Sequence, residues 1–226
     1  QNDGDTITLM PGESATCTIT NNDIAPTLTL VKQVINDDGG VGTPGNWLLT
    51  ATGPAGFSGA GPSATSGSTF KAGSYDLSES VGPGGYLASD WVCVGGTQAD
   101  GDTITLGLEE SATCTVTNDD ISPTITLVKS VINNNGGTIT DENAFGLKID
   151  GQLVSHNVAV EVSPGNHTVS EDGRPGYAPG TWGSDCLPDG TINVSPGENA
   201  TCTITNNDVQ PGLTLVKQVV NNNGGT

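Results

Sequence analysis

Positive charge is nearly missing from this chain: Lys and Arg number 6 against 25 Asp and Glu, a net charge of −19 over 226 residues. Such a surface repels phosphate backbones and anionic lipid, which argues against nucleic-acid partners and against membrane-surface binding. Aromatics are only 4% and apolar residues only 33% of the chain, so any core must be small. No apolar run approaches the ~20 residues of a membrane-spanning helix, so no membrane insertion is expected in this segment. No basic-plus-apolar leader follows Gln1, and any export signal is expected to lie outside the segment or to have been removed. The five cysteines never take the CxxC spacing that zinc or thioredoxin-type chemistry needs. Neither His156 nor His167 stands at ligand spacing from a cysteine. No Ser–His–Asp set, HExxH helix or phosphate-cradling loop is present, so no enzyme and no required cofactor are expected.

What the chain has in quantity is turn. With 33 Gly and 13 Pro and only 14% charged residues, it suits short strands joined by many turns. It also repeats itself. Cys17-Thr-Ile-Thr-Asn-Asn-Asp returns as Cys114-Thr-Val-Thr-Asn-Asp-Asp and as Cys202-Thr-Ile-Thr-Asn-Asn-Asp, offset by 97 and then 88 residues. About ten residues after each comes Leu28-Thr-Leu-Val-Lys-Gln-Val-Ile-Asn or its near copy from Ile125 or Leu213. Periods this long signify an array of whole domains, and roughly 90 residues suffice for an autonomous small core. The reading is therefore the end of one repeat (1–25), two complete repeats (26–122 and 123–210) and the head of another (211–226). The array is expected to be a piece of something longer.

Within each repeat the apolar pattern has period two. Leu28, Leu30, Lys32 and Val34 share one strand face; Tyr75, Leu77 and Glu79 share another; Cys114, Val116 and Asn118 a third. Strands are also expected from the alternations Trp47–Leu49–Ala51 and Phe145–Leu147–Ile149. Thr and Val fill such runs, and Gly, Pro, Asn and Asp separate them. Seven or so short strands per 90 residues predict an all-β fold: tandem Ig-like β-sandwich domains in an extended array. The two copies differ mainly in loops, 53–73 being six residues longer than 151–165. Trp47, Trp91 and Trp182 are read as core plugs.

Tyr75-Asp-Leu-Ser-Glu-Ser-Val-Gly-Pro-Gly-Gly-Tyr86 resembles the Y-x-L-x-E-x-x-x-P-x-G-Y signature of prealbumin-like Ig-like domains of the CnaB or SpaA type. Such domains build the stalks and pili of bacterial surface proteins. The Leu-x-Leu-x-Lys opening and the closing strand ending in Asn are also similar to that family. The second copy departs from the signature, since His167-Thr-Val-Ser-Glu-Asp-Gly-Arg-Pro-Gly-Tyr177 is one residue short between Glu and Tyr. The cysteines are not part of the signature, and a sortase-sorting sequence is absent from this segment. The resemblance implies an isopeptide bond from Lys32 to Asn118 assisted by Glu79, and from Lys129 to Asn206 assisted by Glu171. Asn21 and Lys217 would be half-sites of the partial repeats. The alternation independently points all three groups inward, where each is costly unless satisfied. The competing reading is a buried Lys–Glu pair with Asn as hydrogen-bond partner.

The cysteines pair naturally within repeats, Cys93 with Cys114 and Cys186 with Cys202, leaving Cys17 for a partner upstream; such a framework belongs to an oxidising, extracellular or cell-surface setting. If first and last strands both point away from the preceding domain, Asp37, Asp38, Asp119 and Asp120 gather at one domain junction. Hard oxygen ligands in that number suit calcium, whereas plain turn chemistry explains the same Asn-Asp-Gly run. The second junction, Asn133–Asn135 with Asn207 and Asp208, is poorer in charge. Sequons at Asn166, Asn193 and Asn199 matter only where the source glycosylates them. The sequence thus predicts a structural segment of a secreted or surface stalk or fibre, its partners being neighbouring repeats and other copies in a fibre. The alternative is an adhesin that binds a ligand through loops 53–73 and 95–103.

Overall fold

The computed structural model describes residues 4–225 and contains two β-sandwiches in tandem. The first is built from β1 (Thr27–Ile35), β2 (Leu48–Thr52), β3 (Phe57–Ala60), β4 (Ser63–Thr65), β5 (Gly73–Glu79), β6 (Tyr86–Ala88), β7 (Val92–Val94), β8 (Thr97–Gln98), β9 (Thr103–Leu106) and β10 (Ser111–Asp120). The second repeats the plan with β11 (Thr124–Ile132), β12 (Lys148–Ile149), β13 (Gln152–Leu153), β14 (Ala159–Glu161), β15 (Gly165–Ser170), β16 (Tyr177–Pro179), β17 (Gly183–Ser184), β18 (Thr191–Val194) and β19 (Asn199–Asp208).

In the first domain one sheet runs β4-β1-β10-β6, with β7 also on β10, and the other β3-β2-β5-β9-β8. In the second the sheets are β14-β11-β19-β16, with β17 also on β19, and β13-β12-β15-β18. First and last strands pair in parallel, from Thr27 with Ser111 to Ile35 with Asp119, and from Thr124 with Asn199 to Ile132 with Asn207. The inner faces supply the cores: Leu28, Leu30, Cys114 and Val116 meet Leu49, Tyr75, Leu77 and Ile104 in one domain. Ile125, Leu127 and Cys202 meet Leu147, Val169 and Ile192 in the other. Trp91 and Trp182 join these cores, as expected of large side chains in small sandwiches.

The strand pattern departs from the alternation in two places. Pro44–Asn46 and Glu142–Phe145 form short 3-10 turns, so Trp47 and Phe145 sit at the ends of turns and not within strands. Proline at the first position suits the one turn, and the Asp141 carboxylate caps the other by accepting the Asn143 N–H. Segment 53–73 is also no open loop. It contributes β3, which pairs with β2, and β4, which pairs with β1, closing an edge of each sheet.

Residues 5–26 form no strand, although 14–20 nearly repeat β10. Residues 213–221 repeat β1 and are likewise strandless and exposed. A strand here is a property of the pair, since its backbone groups need a partner.

The linker between domains is tied at both ends. Ile121 N–H donates to Gly85 O and its carbonyl accepts from Gly197 N–H. Ser122 Oγ–H donates to Asp38 Oδ1 at 2.5 Å. Gly39 (φ +85°) lies so close to Pro164 that a Cβ there would stand 2.8 Å from Pro164 Cδ. Left-handed backbone and close approach together require glycine.

Candidate functional site

Lys32 faces inward from β1 and is 2% exposed. Its cross-strand partner on β10 is Val116, so Asn118 stands two residues along on the same inner face. Glu79 ends β5 in the opposite sheet, where its register partner is Leu49. The two sheets thus close a lysine, an asparagine and a glutamate on one point. Lys32 Nζ lies 2.7 Å from Glu79 Oε2, and Asn118 Nδ2 donates to Glu79 Oε1 at 2.7 Å. The second domain repeats this arrangement: Lys129 Nζ is 2.6 Å from Glu171 Oε2, and Asn206 Nδ2 donates to Glu171 Oε1 at 2.6 Å. The missing residue between Glu171 and Tyr177 falls in the loop, and the acid keeps its place.

The ion pairs are close in distance but off-angle for hydrogen bonds. The Lys Nζ, Glu Oε2 and Asn Oδ1 atoms of both clusters are buried without a hydrogen-bond partner. Six such atoms in two small domains is an unusual concentration, and buried polar atoms left in this state are costly. Burial lowers the pKa of Lys32 and Lys129, opposed only in part by the adjacent glutamate carboxylate. The amide donates to the glutamate here, whereas assisting bond formation requires a protonated glutamate to donate to the amide oxygen. The two differ by a half-turn of the carboxamide, which exchanges atoms of nearly equal size.

Aromatic rings cover both lysines. Nζ of Lys32 lies 4.8 Å from the Trp47 ring centroid and Nζ of Lys129 lies 4.5 Å from that of Phe145. Tyr86 and Tyr177 meet these rings edge-on at 5.4 and 5.5 Å. Trp47 is therefore a lid over the cluster, a role its sequence position as a core plug did not reveal. The matching place of Phe145 in the second copy was the available signal. Beside the first cluster is a cleft of about 290 Å³ whose lining includes Trp47, Glu79, Gly82, Tyr86 and Asn118.

The same tyrosines fasten the loop after the first strand. Tyr86 Oη donates to Asn36 Oδ1 and accepts Gly42 N–H; Tyr177 Oη donates to Asn133 Oδ1 and accepts Ile139 N–H. At the junction, Asp37, Asp38 and Asp120 bring carboxylate oxygens within 4.8 Å of one another. Asp120 is buried and already spoken for: Oδ1 accepts the N–H groups of Asp37 and Asp38, and Oδ2 those of Asp38 and Gly40. Asp208 accepts from Asn134, Asn135 and Gly137 in the second domain. Burial would raise the pKa of Asp120, but these backbone donors outweigh it and the pKa is lowered. Asp120 is thus a brace for the turn, and its lone pairs are filled. Asp38 Oδ1 accepts the Ser122 hydroxyl, and Asp119, expected from the sequence to join them, is not among the three gathered carboxylates. The pKa of Asp119 is raised by burial and by the charges of Asp37, Asp120 and Asp38.

Cys93 and Cys114 stand opposite each other on β7 and β10 and are bonded at 2.02 Å. Cys186 and Cys202 are bonded at 1.96 Å. Cys17 is exposed and unpaired.

A family model for the SpaA-type prealbumin-like fold domain matches residues 23–116 and again 120–204. Among solved structures, the chain is similar to the TIE protein of Bacillus anthracis at 14% identity and a TM-score of 0.46, over 83% of this chain and 34% of that one. It thus spans about a third of that protein's length. It is also similar to the major pilin T-13 of Streptococcus pyogenes, at 15% identity and a TM-score of 0.33 over 81% of this chain and 97% of the pilin. The minor pilin GBS52 of Streptococcus agalactiae aligns at 12% identity and a TM-score of 0.26, over 86% of this chain and 100% of that one. No curated protein matches in sequence. Among the described residues, no helix is long and apolar enough to cross a membrane.

Proposed function

The chain belongs to the SpaA-type prealbumin-like fold domain family, and from that premise we propose that it is a load-bearing segment of a secreted or cell-surface stalk or fibre. Each complete domain, 26–122 and 123–210, is closed by an isopeptide bond between its first and last strands, Lys32 to Asn118 and Lys129 to Asn206. The observation that carries this reading is the buried Lys–Glu–Asn cluster, present twice with matching contacts.

The chemistry follows from the contacts. The ammonium passes a proton to the glutamate oxygen beside it, a transfer that burial of the lysine favours. With the carboxamide turned, the protonated glutamate donates to its oxygen and polarises the carbon. Nζ attacks that carbon, the C–N bond to the amide nitrogen breaks, and ammonia departs carrying the relayed proton. Lysine ammonium, glutamate and asparagine carboxamide thus become one secondary amide, one ammonia and a glutamic acid that holds the remaining proton until solvent removes it. Packing holds the reactants together for as long as the step requires. The 290 Å³ cleft gives the first cluster a way out for the ammonia.

Force entering along β1 would then leave along β10 through a covalent bond. The disulfides, Cys93 of β7 to Cys114 of β10 and Cys186 just after β17 to Cys202 of β19, suit an oxidising, extracellular setting. The adhesin alternative loses its main support, because segment 53–73 is built into both sheets as β3 and β4. Intact-mass measurement tests the proposal. Two ammonias fewer than the disulfide-corrected sequence mass is the expected result. An unreduced mass leaves only a buried ion pair.

A further inference from the structure

His167 is buried on β15, and both of its ring nitrogens face acceptors. Nδ1 lies 2.6 Å from Asp150 Oδ2 and Nε2 lies 2.7 Å from the Ser163 carbonyl oxygen. A neutral imidazole has one N–H and one lone pair, so either tautomer would point a lone pair at one of those oxygens. Only the doubly protonated ring satisfies both contacts. Asp150 reaches the ring from the turn between β12 and β13 and is itself fixed by the Thr168 N–H. On β18 the register partner of His167 is Ile192, which carries no charge. Among the described residues, the charge acting on the ring is that of Asp150.

The Ser163 carbonyl belongs to the segment that enters the domain junction. Pro164 packs on Gly39 of the preceding domain, and Val162 N–H donates to the Pro123 carbonyl in the linker. We propose that His167 is a pH-sensitive latch: as an imidazolium it ties the junction segment 162–164 to the second domain, and on losing a proton it releases that segment. The first domain supplies the contrast. At the equivalent position Tyr75 donates its hydroxyl hydrogen to the Lys71 carbonyl, also four residues back, through a neutral hydroxyl in place of an imidazolium.

The geometry sets the sign of the effect. Burial works against the charged ring, but the hydrogen bonds to Asp150 and Ser163 and the charge of Asp150 outweigh it, so the pKa of His167 is raised above its ordinary 6.5. Stability from a raised basic group is fully present below the unfolded pKa and is lost as pH rises through the folded one. The second domain and its junction should therefore weaken as pH rises above 6.5, and the first domain should not.

Imidazole nitrogen NMR on the full chain is the test, with His156 as internal reference because its Nδ1 accepts the Lys129 N–H. The expected result is an N–H on both nitrogens of His167 near pH 6 and a midpoint above that of a free histidine, about 6.5. Melting of the second domain and exchange of the Val162 amide, corrected for intrinsic base catalysis, should then follow that midpoint. His167→Tyr should abolish both dependences. A neutral His167 ring near pH 6, a midpoint at or below the ordinary value, or a pH dependence that survives in His167→Tyr would overturn the latch. The titration of the unaltered protein decides the matter even if the tyrosine variant folds poorly.

Discussion

Lys32 and Asn118 lie on adjacent parallel strands, two residues out of register on the same inner face. Direct partners on a sheet stand side by side, whereas a two-residue diagonal leaves room for a long side chain to lie along the gap. The lysine fills that gap and ends at the glutamate of the opposite sheet. The same offset separates Lys129 from Asn206.

Glu79→Gln should stop bond formation in the first domain alone, because the amide cannot accept and return the proton. Once the mass change of the substitution itself is subtracted, the expected mass is one ammonia above that of the unaltered protein. The variant also leaves Lys32 buried without its countercharge, so the first domain should lose about 3 kcal/mol or more. Loss of both bonds, or of neither, would contradict separate clusters.

Reduction of the disulfides should act domain by domain. Cys93–Cys114 spans 21 residues and Cys186–Cys202 spans 16, loops whose closure is worth about 3 kcal/mol each. Cys114→Ala should lower the melting of the first domain and leave the second unchanged, as read by calorimetry. Equal effects on both domains would contradict this independence.

Asp120 should make the junction sensitive to acid. Its pKa is lowered from 3.8, so its contribution is present above that value and is lost as pH falls through the lower folded pKa. Asp120→Asn should free the amides of Asp37, Asp38 and Gly40 to exchange at neutral pH, while the core amides of β1 stay protected. Unchanged exchange at those three positions would show that the brace is dispensable.

Calcium at the junction would be held by Asp37, Asp38 and Asp120, in competition with the backbone donors that Asp120 accepts. Sites in extracellular modules bind calcium with Kd of about 10⁻⁴–10⁻³ M. Ten times the upper Kd would then stabilise by about 1.4 kcal/mol. Asp38→Asn should remove that increment, and a melting temperature indifferent to calcium and to chelation would dismiss the site.

The period-two pattern made most of the sandwich readable. Leu28, Leu30 and Lys32 alternate inward as the sequence suggests, and the repeated CTIT and LTLVK strings mark the two strands that pair in parallel. The 3-10 turns before Trp47 and Leu147 were hidden, because a single turn leaves no periodicity to detect. β3 and β4 were hidden by Gly, Ser and Pro, which composition assigns to loops. Glu79 was legible from its strand, but the lid over Lys32 was not, since Trp47 reads equally well as filler. The His167–Asp150 pair escaped notice because it joins a strand to a separate turn, and His167 stands where the first copy of the signature has Tyr75.

Because Thr27 pairs with Ser111 and Ile35 with Asp119, the strand synthesised first in each domain closes against the one synthesised last. A growing chain therefore cannot complete a sandwich until nearly the whole repeat has emerged. Until then β1 lacks its main neighbour, as 213–221 does here, and the nascent domain stays open and threadable. Once the last strand arrives, closure involves the entire repeat at once. For the exported fibre proposed above, this topology would couple two needs: pliancy during transit and rigidity on arrival.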